Sequence, residues 1–406
     1  MSCDVTSLKR SLNRCGALAL TQISRVWRFK QDFNIVLEMF RCFDFSTSLQ
    51  ACLAAVQKCV NPRDEEKRYC NQNVRKEREL HVHKVLILGT PESGKSTLVK
   101  QMKIIYSHGF NKQELLSFKP AVLDNLLTSM KFVLHGMGML RINLSNKKNK
   151  SHARAILSCE CCMGEDMELL PFVAHAFCRL WGDLGVRAAV ARGHEFQLND
   201  SALYFIESIS RIIAPNYIPS ETDVLRVRVR THGVVETQFR VNNSLYRLYD
   251  VGGQRSERKK WYSYFDNVQA VLFMVALSGY DQNLETNHST NRLCESLECF
   301  SSTCNSAFFK GASLVLFMNK IDLFGEKILY SGRHLRLYQP DFKGPDHDVS
   351  CAAQYVTDLF VACAAASGKM VYPHFTNATD PSSVHDAFQF TISTIVKHNL
   401  QTVSLL

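Results

Sequence analysis

Gly89-Thr90-Pro91-Glu92-Ser93-Gly94-Lys95-Ser96 follows the apolar run Val85-Leu86-Ile87-Leu88 and precedes a helix-like stretch, Thr97 to Tyr106. Strand, G-x-x-x-x-G-K-[ST] loop and helix, in that order, form the context in which this motif wraps phosphate. In such a loop successive backbone N–H groups face the phosphates, Lys95 meets the β/γ oxygens, and the Ser96 hydroxyl ligates Mg²⁺. Three further segments follow in sequence. Asp250-Val251-Gly252-Gly253-Gln254 comes after the alternating run Leu245 to Tyr249, and Asn319-Lys320-Ile321-Asp322 after Ser313 to Met318. Thr376-Asn377-Ala378-Thr379 comes after Met370-Val371-Tyr372. A phosphate loop alone leaves ATP and GTP equally open. The carboxylate of an Asn-Lys-x-Asp segment suits the two N–H donors of guanine's N1/N2 edge, which adenine lacks. Together the four segments point to a guanine nucleotide.

Around these segments the patterning changes twice. Beyond Tyr106 the strand signal stops for roughly a hundred residues. Leu123, Leu126, Leu127, Met130, Val133 and Met137 mark one face of an amphipathic helix, and similar stretches run through Phe172–Trp181 and Ala202–Ile213 until Pro215 and Pro219. From Val234 onward strands and helices alternate: Val234–Val241, Leu245–Tyr249, Val268–Ala276, Ser313–Met318 and Met370–His374. That alternation predicts a mostly parallel sheet covered by helices, with an all-helical block inserted after the phosphate loop. Residues 63 to 80 are charge-dense and read as an exposed helix with i,i+4 pairs. Before residue 60, Leu8, Leu12, Cys15, Ile23, Val26 and Trp27 recur at near-helical spacing among basic residues. A helix on anionic lipid, a helix docked on its own domain and a disordered extension all fit that stretch.

The 406 residues suit two or three structural units, and 46% hydrophobic with 21% charged residues describes an ordinary globular chain. The net charge of +10 is spread widely. It fits a solvated surface, a membrane surface or an acidic protein partner, and no aromatic–basic motif supports nucleic acid. The 15 cysteines are scattered as small core hydrophobes, and Cys159-Glu160-Cys161-Cys162 lacks paired zinc spacing. No run of about 18 apolar residues and no convincing signal peptide are present, so a reducing cytosolic setting is expected.

Hydrolysis of a nucleoside triphosphate needs a positioned water, neutralised phosphate charge and a metal. Gln254 is placed to orient the water, Asp250 to close its strand near Mg²⁺, and Gly252 and Gly253 to let the backbone approach the γ-phosphate. Arg226-Val227-Arg228-Val229-Arg230-Thr231 lies where the helical block returns to the sheet. One of its arginines is suited to neutralise transition-state charge and Thr231 to complete the metal shell. The rival reading of those alternating arginines is a solvated strand edge.

From about residue 63 onward the chain resembles α subunits of heterotrimeric G proteins. The four motifs carry the resemblance, together with Leu198-Asn199-Asp200-Ser201-Ala202, Pro215 to Pro219, Asp223 to Arg226, Asp250 to Trp261 and Lys320 to Lys327. The resemblance implies a Ras-like P-loop GTPase domain over 83–113 and 225–406, with an all-helical domain inserted over 114–224. A charged helix over 63–82 would precede it, and 1–62 have no counterpart. It implies Arg228 as the built-in arginine finger beside Gln254, and Ser96 and Thr231 as Mg²⁺ ligands. It also implies a nucleotide site of Glu92, Ser93, Gly94, Lys95, Ser96, Thr97, Gly253, Asn319, Lys320, Asp322 and Ala378, with Ser201, Leu225 and Arg226 on the helical side. The implied activity is GTP hydrolysis to GDP in a signalling switch. The implied partners are a βγ dimer, a G-protein-coupled receptor and an effector, at the cytoplasmic face of the plasma membrane.

Several positions depart from the family pattern. Pro91 replaces a loop glycine, removing an N–H and fixing φ beside the γ-phosphate. His232 and Asn377 replace Thr and Cys, and Thr286-Asn287-His288-Ser289-Thr290 replaces an acidic loop. Met1-Ser2-Cys3 lacks the glycine of N-myristoylation and leaves Cys3 as a candidate for palmitoylation. Pro91 and the altered loop support a second reading, a nucleotide-binding module that no longer cycles, which intact Arg228 and Gln254 oppose.

Overall fold

The computed structural model describes residues 81–404 except 162–168, 197, 243, 259–260, 285–286 and 288. The stretch before residue 60, the charged segment up to residue 80, and Leu405 and Leu406 lie outside the described residues. Six strands form one sheet in the order β2-β3-β1-β4-β5-β6. They are β1 His81–Gly89, β2 Val234–Val241, β3 Ser244–Val251, β4 Ala270–Ala276, β5 Ser313–Asn319 and β6 Val371–Thr376. Every pairing is parallel except that of β2 with β3, a hairpin in register from Val234 opposite Val251 to Val241 opposite Ser244. This is the mostly parallel six-stranded sheet that the alternation predicts. Because His81 already pairs with Ser244, His81 and Val82 belong to β1 rather than to the charged segment 63–82.

Helix α1, Lys95–Tyr106, follows the phosphate loop. Among the described residues eight more α-helices follow α1 before β2: α2 Lys112–Ser117, α3 Lys119–Met139, α4 Asn149–Ser158, α5 Pro171–Trp181, α6 Leu184–Ala191, α7 Ala202–Glu207, α8 Ile209–Ile212 and α9 Glu221–Arg226. Among the later elements are α10 Arg255–Arg258, α11 Arg292–Cys304, α12 Ile321–Tyr330, α13 Val349–Ala366 and α14 Pro381–Ser404. Residues 114 and 224, taken as limits of the insertion, fall inside α2 and α9.

Strand alternation sends β1 side chains to two cores. Val85 and Ile87 join Leu272, Met274, Val315 and Phe317 beneath α1 and α14. Leu86 and Leu88 join Val271, Phe273, Leu316 and Met318 on the opposite face, beneath α11, α12 and α13. With both faces covered, β4 and β5 read as continuous apolar runs. α13 has the length and mean hydropathy of 1.4 of a membrane span. Its Ala352, Val356 and Phe360 lie in the sheet core while Gln354 bonds Asp358 on the outer side, the pattern of a core helix.

The helical block has a third core. All six α3 residues on the predicted apolar face are buried there, against Phe177 and Leu180 of α5 and Phe205 and Ile206 of α7. The pattern over 202–213 is two helices, not one. The break at Ser208 turns Arg211 back towards Tyr204, and both grip the buried carboxylate of Asp223 on α9. α14 runs from Pro381 to Ser404, and no Gly or Pro interrupts it after Pro381.

Candidate functional site

The parallel strands end at one edge of the sheet, where open α/β sheets bind ligands. Gly89 closes β1 there, Asn319 closes β5 and Thr376 closes β6. The loop after β1 is held from within. Ser93 Oγ donates to the Thr90 carbonyl at 2.9 Å, and Lys95 Nζ donates to the same oxygen at 2.7 Å and to that of Gly89 at 3.0 Å. Burial brings the Lys95 ammonium down to about 8. Gly94, at φ 101°, lies where an added Cβ would strike the Asn319 side chain. Gly253 passes so close that a Cβ would come within 2.5 Å of Lys95 Nζ.

At the start of α1 three oxygens converge. Ser96 Oγ lies 2.6 Å from Asp250 Oδ2 and 2.7 Å from Thr231 Oγ1, and Thr231 Oγ1 lies 3.5 Å from Asp250 Oδ2. The other carboxylate oxygen, Oδ1, is buried with no hydrogen-bond partner among the described residues. Burial pushes the Asp250 carboxyl up, and the Lys95 ammonium offsets part of that rise. Two hydroxyls and an under-satisfied carboxylate are the hard-oxygen donors that suit a small divalent cation.

The three alternating arginines form no strand, and each finds a different partner. Arg226 stacks its guanidinium 4.8 Å above the Tyr204 ring. Arg228 reaches the phosphate loop, with Nη2 2.5 Å from Glu92 Oε1, while Arg230 donates to Gln254 Oε1. The structure thus brings Arg228 onto Glu92, but Gln254 onto Arg230. Glu92 also receives Arg292 of α11 at 2.7 Å. Burial pushes the Glu92 carboxyl up, but Arg292 and then Arg228 hold it below its ordinary value. Just past Gln254, Arg255 and Arg258 of α10 converge on buried Glu295 of α11 at 3.1 and 2.9 Å.

Asn319 joins three of the sequence segments. Its Nδ2 donates to the Ser93 carbonyl at 2.8 Å, and its Oδ1 accepts from the Ala378 N–H at 3.0 Å and the Thr376 hydroxyl at 3.2 Å. The side chain is buried, so its part is to bind the loops together. Lys320 takes a left-handed φ of 63° and places Nζ 2.5 Å from Asp200 Oδ2 of the helical block. Asp322 is exposed in the first turn of α12, with no hydrogen bond to it among the described residues.

The helical block closes the other side. The Leu225 carbonyl accepts from Thr97 Oγ1 at 3.4 Å, and Ser201 lies beside Asp200 in the turn before α7. Lys100 of α1 donates to the carbonyls of Val224 and Val227 at 2.8 and 3.2 Å. Asn125 of α3 exchanges two hydrogen bonds with the Arg228 backbone, accepting at 2.9 Å and donating at 3.0 Å. Sequence reasoning assigned no role to Asn125, Arg292 or Glu295, because single polar residues on helices leave no local pattern.

A glycine-lined phosphate loop, a hard-oxygen donor set and a carboxylate after Asn-Lys at one sheet edge define a P-loop nucleotide-binding protein. The profile of the G-protein alpha subunit family matches residues 62–395. The chain is 46% identical over 323 residues to the guanine nucleotide-binding protein G(o) subunit alpha of Geodia cydonium, covering 80% of this chain and 90% of that relative. It is 42% identical over 323 residues, with the same 80% and 90% coverage, to the guanine nucleotide-binding protein alpha-1 subunit of Neurospora crassa. The same figures, 42% over 323 residues, hold for the G-protein complex alpha subunit gpaA of Aspergillus fumigatus. The chain therefore belongs to the G-protein alpha subunit family: its fold is a Ras-like GTPase with a helical insertion, it hydrolyses GTP, and it works in heterotrimeric G-protein signalling.

Proposed function

We propose that GDP and GTP lie along the sheet edge, with the phosphates in the Glu92–Thr97 turn and the base between Lys320, Asp322 and Ala378. Ser201 of the insertion, with Leu225 and Arg226 at its return to the sheet, closes over the nucleotide; we assign the insertion to about 114–224 between GTPase segments 81–113 and 225–406. Ser96 and Thr231 hold Mg²⁺, with Asp250 beside them. The ion supplies neutralisation of phosphate charge when bound.

The observation that carries this reading is the 2.5 Å pair of Arg228 with Glu92, which parks a guanidinium on the phosphate loop itself. From there Arg228 needs only a side-chain rotation to reach charge developing on the γ-phosphate. Gln254 then orients the attacking water after leaving Arg230. Both steps are rotamer changes of partly exposed side chains, which are fast compared with hydrolysis.

In the cell a seven-helix receptor promotes release of GDP, and a βγ dimer covers α10 and the segment to Trp261 while GDP is bound. GTP reorders that segment, the dimer leaves and an effector is engaged. The chain acts as a peripheral protein of the cytoplasmic face of the plasma membrane. Release from an immobilised βγ dimer tests this. GDP should retain the purified chain, and Mg²⁺ with a slowly hydrolysed GTP analogue should elute it. Equal retention in both states overturns the switching role.

A further inference from the structure

Residues 90 and 92 of the phosphate loop, on either side of Pro91, are each fastened to α11. On the far side Glu92 Oε2 takes Arg292 Nη1 at 2.7 Å. On the near side Thr90 Oγ1 lies 2.8 Å from Ser296 Oγ, and both residues are buried, at 5% and 4% exposure. Arg292 and Ser296 stand four apart, so they share one helix face. The direction of the buried bond follows from proton supply. Ser296 Oγ gives its only proton to the Arg292 carbonyl at 3.0 Å, so Thr90 donates and Ser296 accepts.

We infer that Thr90 and Ser296 are positioning residues for nucleotide turnover, clamping the phosphate loop against α11 on the side of Pro91 that Glu92 does not reach. The inference rests on the reading of this loop as the phosphate cradle. Pro91 contributes no N–H, so contact with phosphate falls on the N–H groups that follow it. Their placement depends on where the chain is held before and after the proline. Thr90 is well sited for this, since its carbonyl is also the acceptor for Ser93 and Lys95 at 2.9 and 2.7 Å. Moving Thr90 therefore moves two side chains of the cradle. The glutamate two residues on, which holds Arg228, is tied to the same face of the same helix.

The test uses the full chain loaded with fluorescent GDP and compares Thr90→Val, Thr90→Ser, Ser296→Ala and the Thr90→Val/Ser296→Ala pair. Loss of one buried hydrogen bond should speed GDP release about five- to tenfold in Thr90→Val and in Ser296→Ala. Thr90→Ser keeps the hydroxyl and should stay within about twofold of the parent. The double variant should be no faster than either single one, because both remove the same bond. A lowered melting temperature with unchanged release would make the pair merely structural and overturn the inference, as would additive effects in the double variant. Lys95→Ala separates this from the underlying reading: if that variant holds GDP as tightly as the parent, the loop is not the phosphate cradle.

Discussion

On the sheet side of the cleft, Gly89, Gly94 and Gly253 bring backbone and loop side chains into contact at distances that leave no room for a Cβ. On the helical side, separate polar side chains reach across: Asn125 to the Arg228 backbone, and Asp200 to Lys320. The sheet side is fixed by main-chain geometry and by Asn319, which cannot shift without breaking three hydrogen bonds. The helical side is held by separate side-chain pairs. On the proposed reading, grip on the nucleotide belongs to the sheet, and control over its escape to the insertion.

Substitutions on the two sides should differ in kind. The largest effect is expected at the base end. Asp322→Asn replaces an acceptor-only carboxylate by an amide better suited to xanthine. Sites that recognise a ligand through buried hydrogen bonds discriminate by about 10⁴-fold, and a shift of that order towards xanthosine nucleotide should appear in competition binding. Unchanged preference for GTP would remove Asp322 from base recognition.

Within the insertion, the Asp223 carboxylate accepts from Arg211, Tyr204, Tyr217 and the Ser220 N–H at 2.7 to 2.8 Å. Burial alone would raise it, but Arg211 and the other donors hold it well below the usual carboxylate range. Asp223→Asn should cost about 1.5–3 kcal/mol in denaturant unfolding near neutral pH, since buried Asp223 loses charge-assisted hydrogen bonds while half-exposed Arg211 can return to water. Since the folded-state value is depressed, this stability is complete above the unfolded value of about 4 and is lost as pH falls through the folded one. The difference between parent and variant should therefore shrink below about pH 4. A difference that grows with acid contradicts the assignment.

The smallest effect is expected where the two sides touch. Lys320 and Asp200 are part-exposed, at 19% and 27%, so their pair contributes no more than about 1 kcal/mol. Asp200→Ala should speed GDP release up to about fivefold in low salt, with the difference narrowing as salt screens the pair. A salt-independent effect would mean that Asp200 acts otherwise.

The same contrast decides what sequence reveals. Gly94, Lys95 and Ser96 are readable because a loop around phosphate demands those residues at those spacings, and the apolar runs Val85–Leu88 and Ser313–Met318 are readable because both sheet faces are covered. The α3 stripe is readable by its period. Asn125 and Arg292 are not, since their partners lie 103 and 200 residues away and impose no local pattern. The break at Ser208 is not readable either, since Tyr204 and Arg211 on either side of it meet at Asp223, a partner supplied by a later helix.

Arg228 is where the two sides meet, its backbone on Asn125 and its guanidinium on Glu92. Single-turnover GTP hydrolysis by the parent and by Arg228→Cys tests that junction most directly. In G-protein α subunits, the family to which this chain belongs, such an arginine accounts for roughly a 10³-fold or larger rate effect. Arg228→Cys should therefore bind GTP about as tightly as the parent and hydrolyse it slower by roughly that factor. Equal rates in the two proteins would show that a loop carrying Pro91 no longer uses the arginine, and would contradict the mechanism drawn from this cleft.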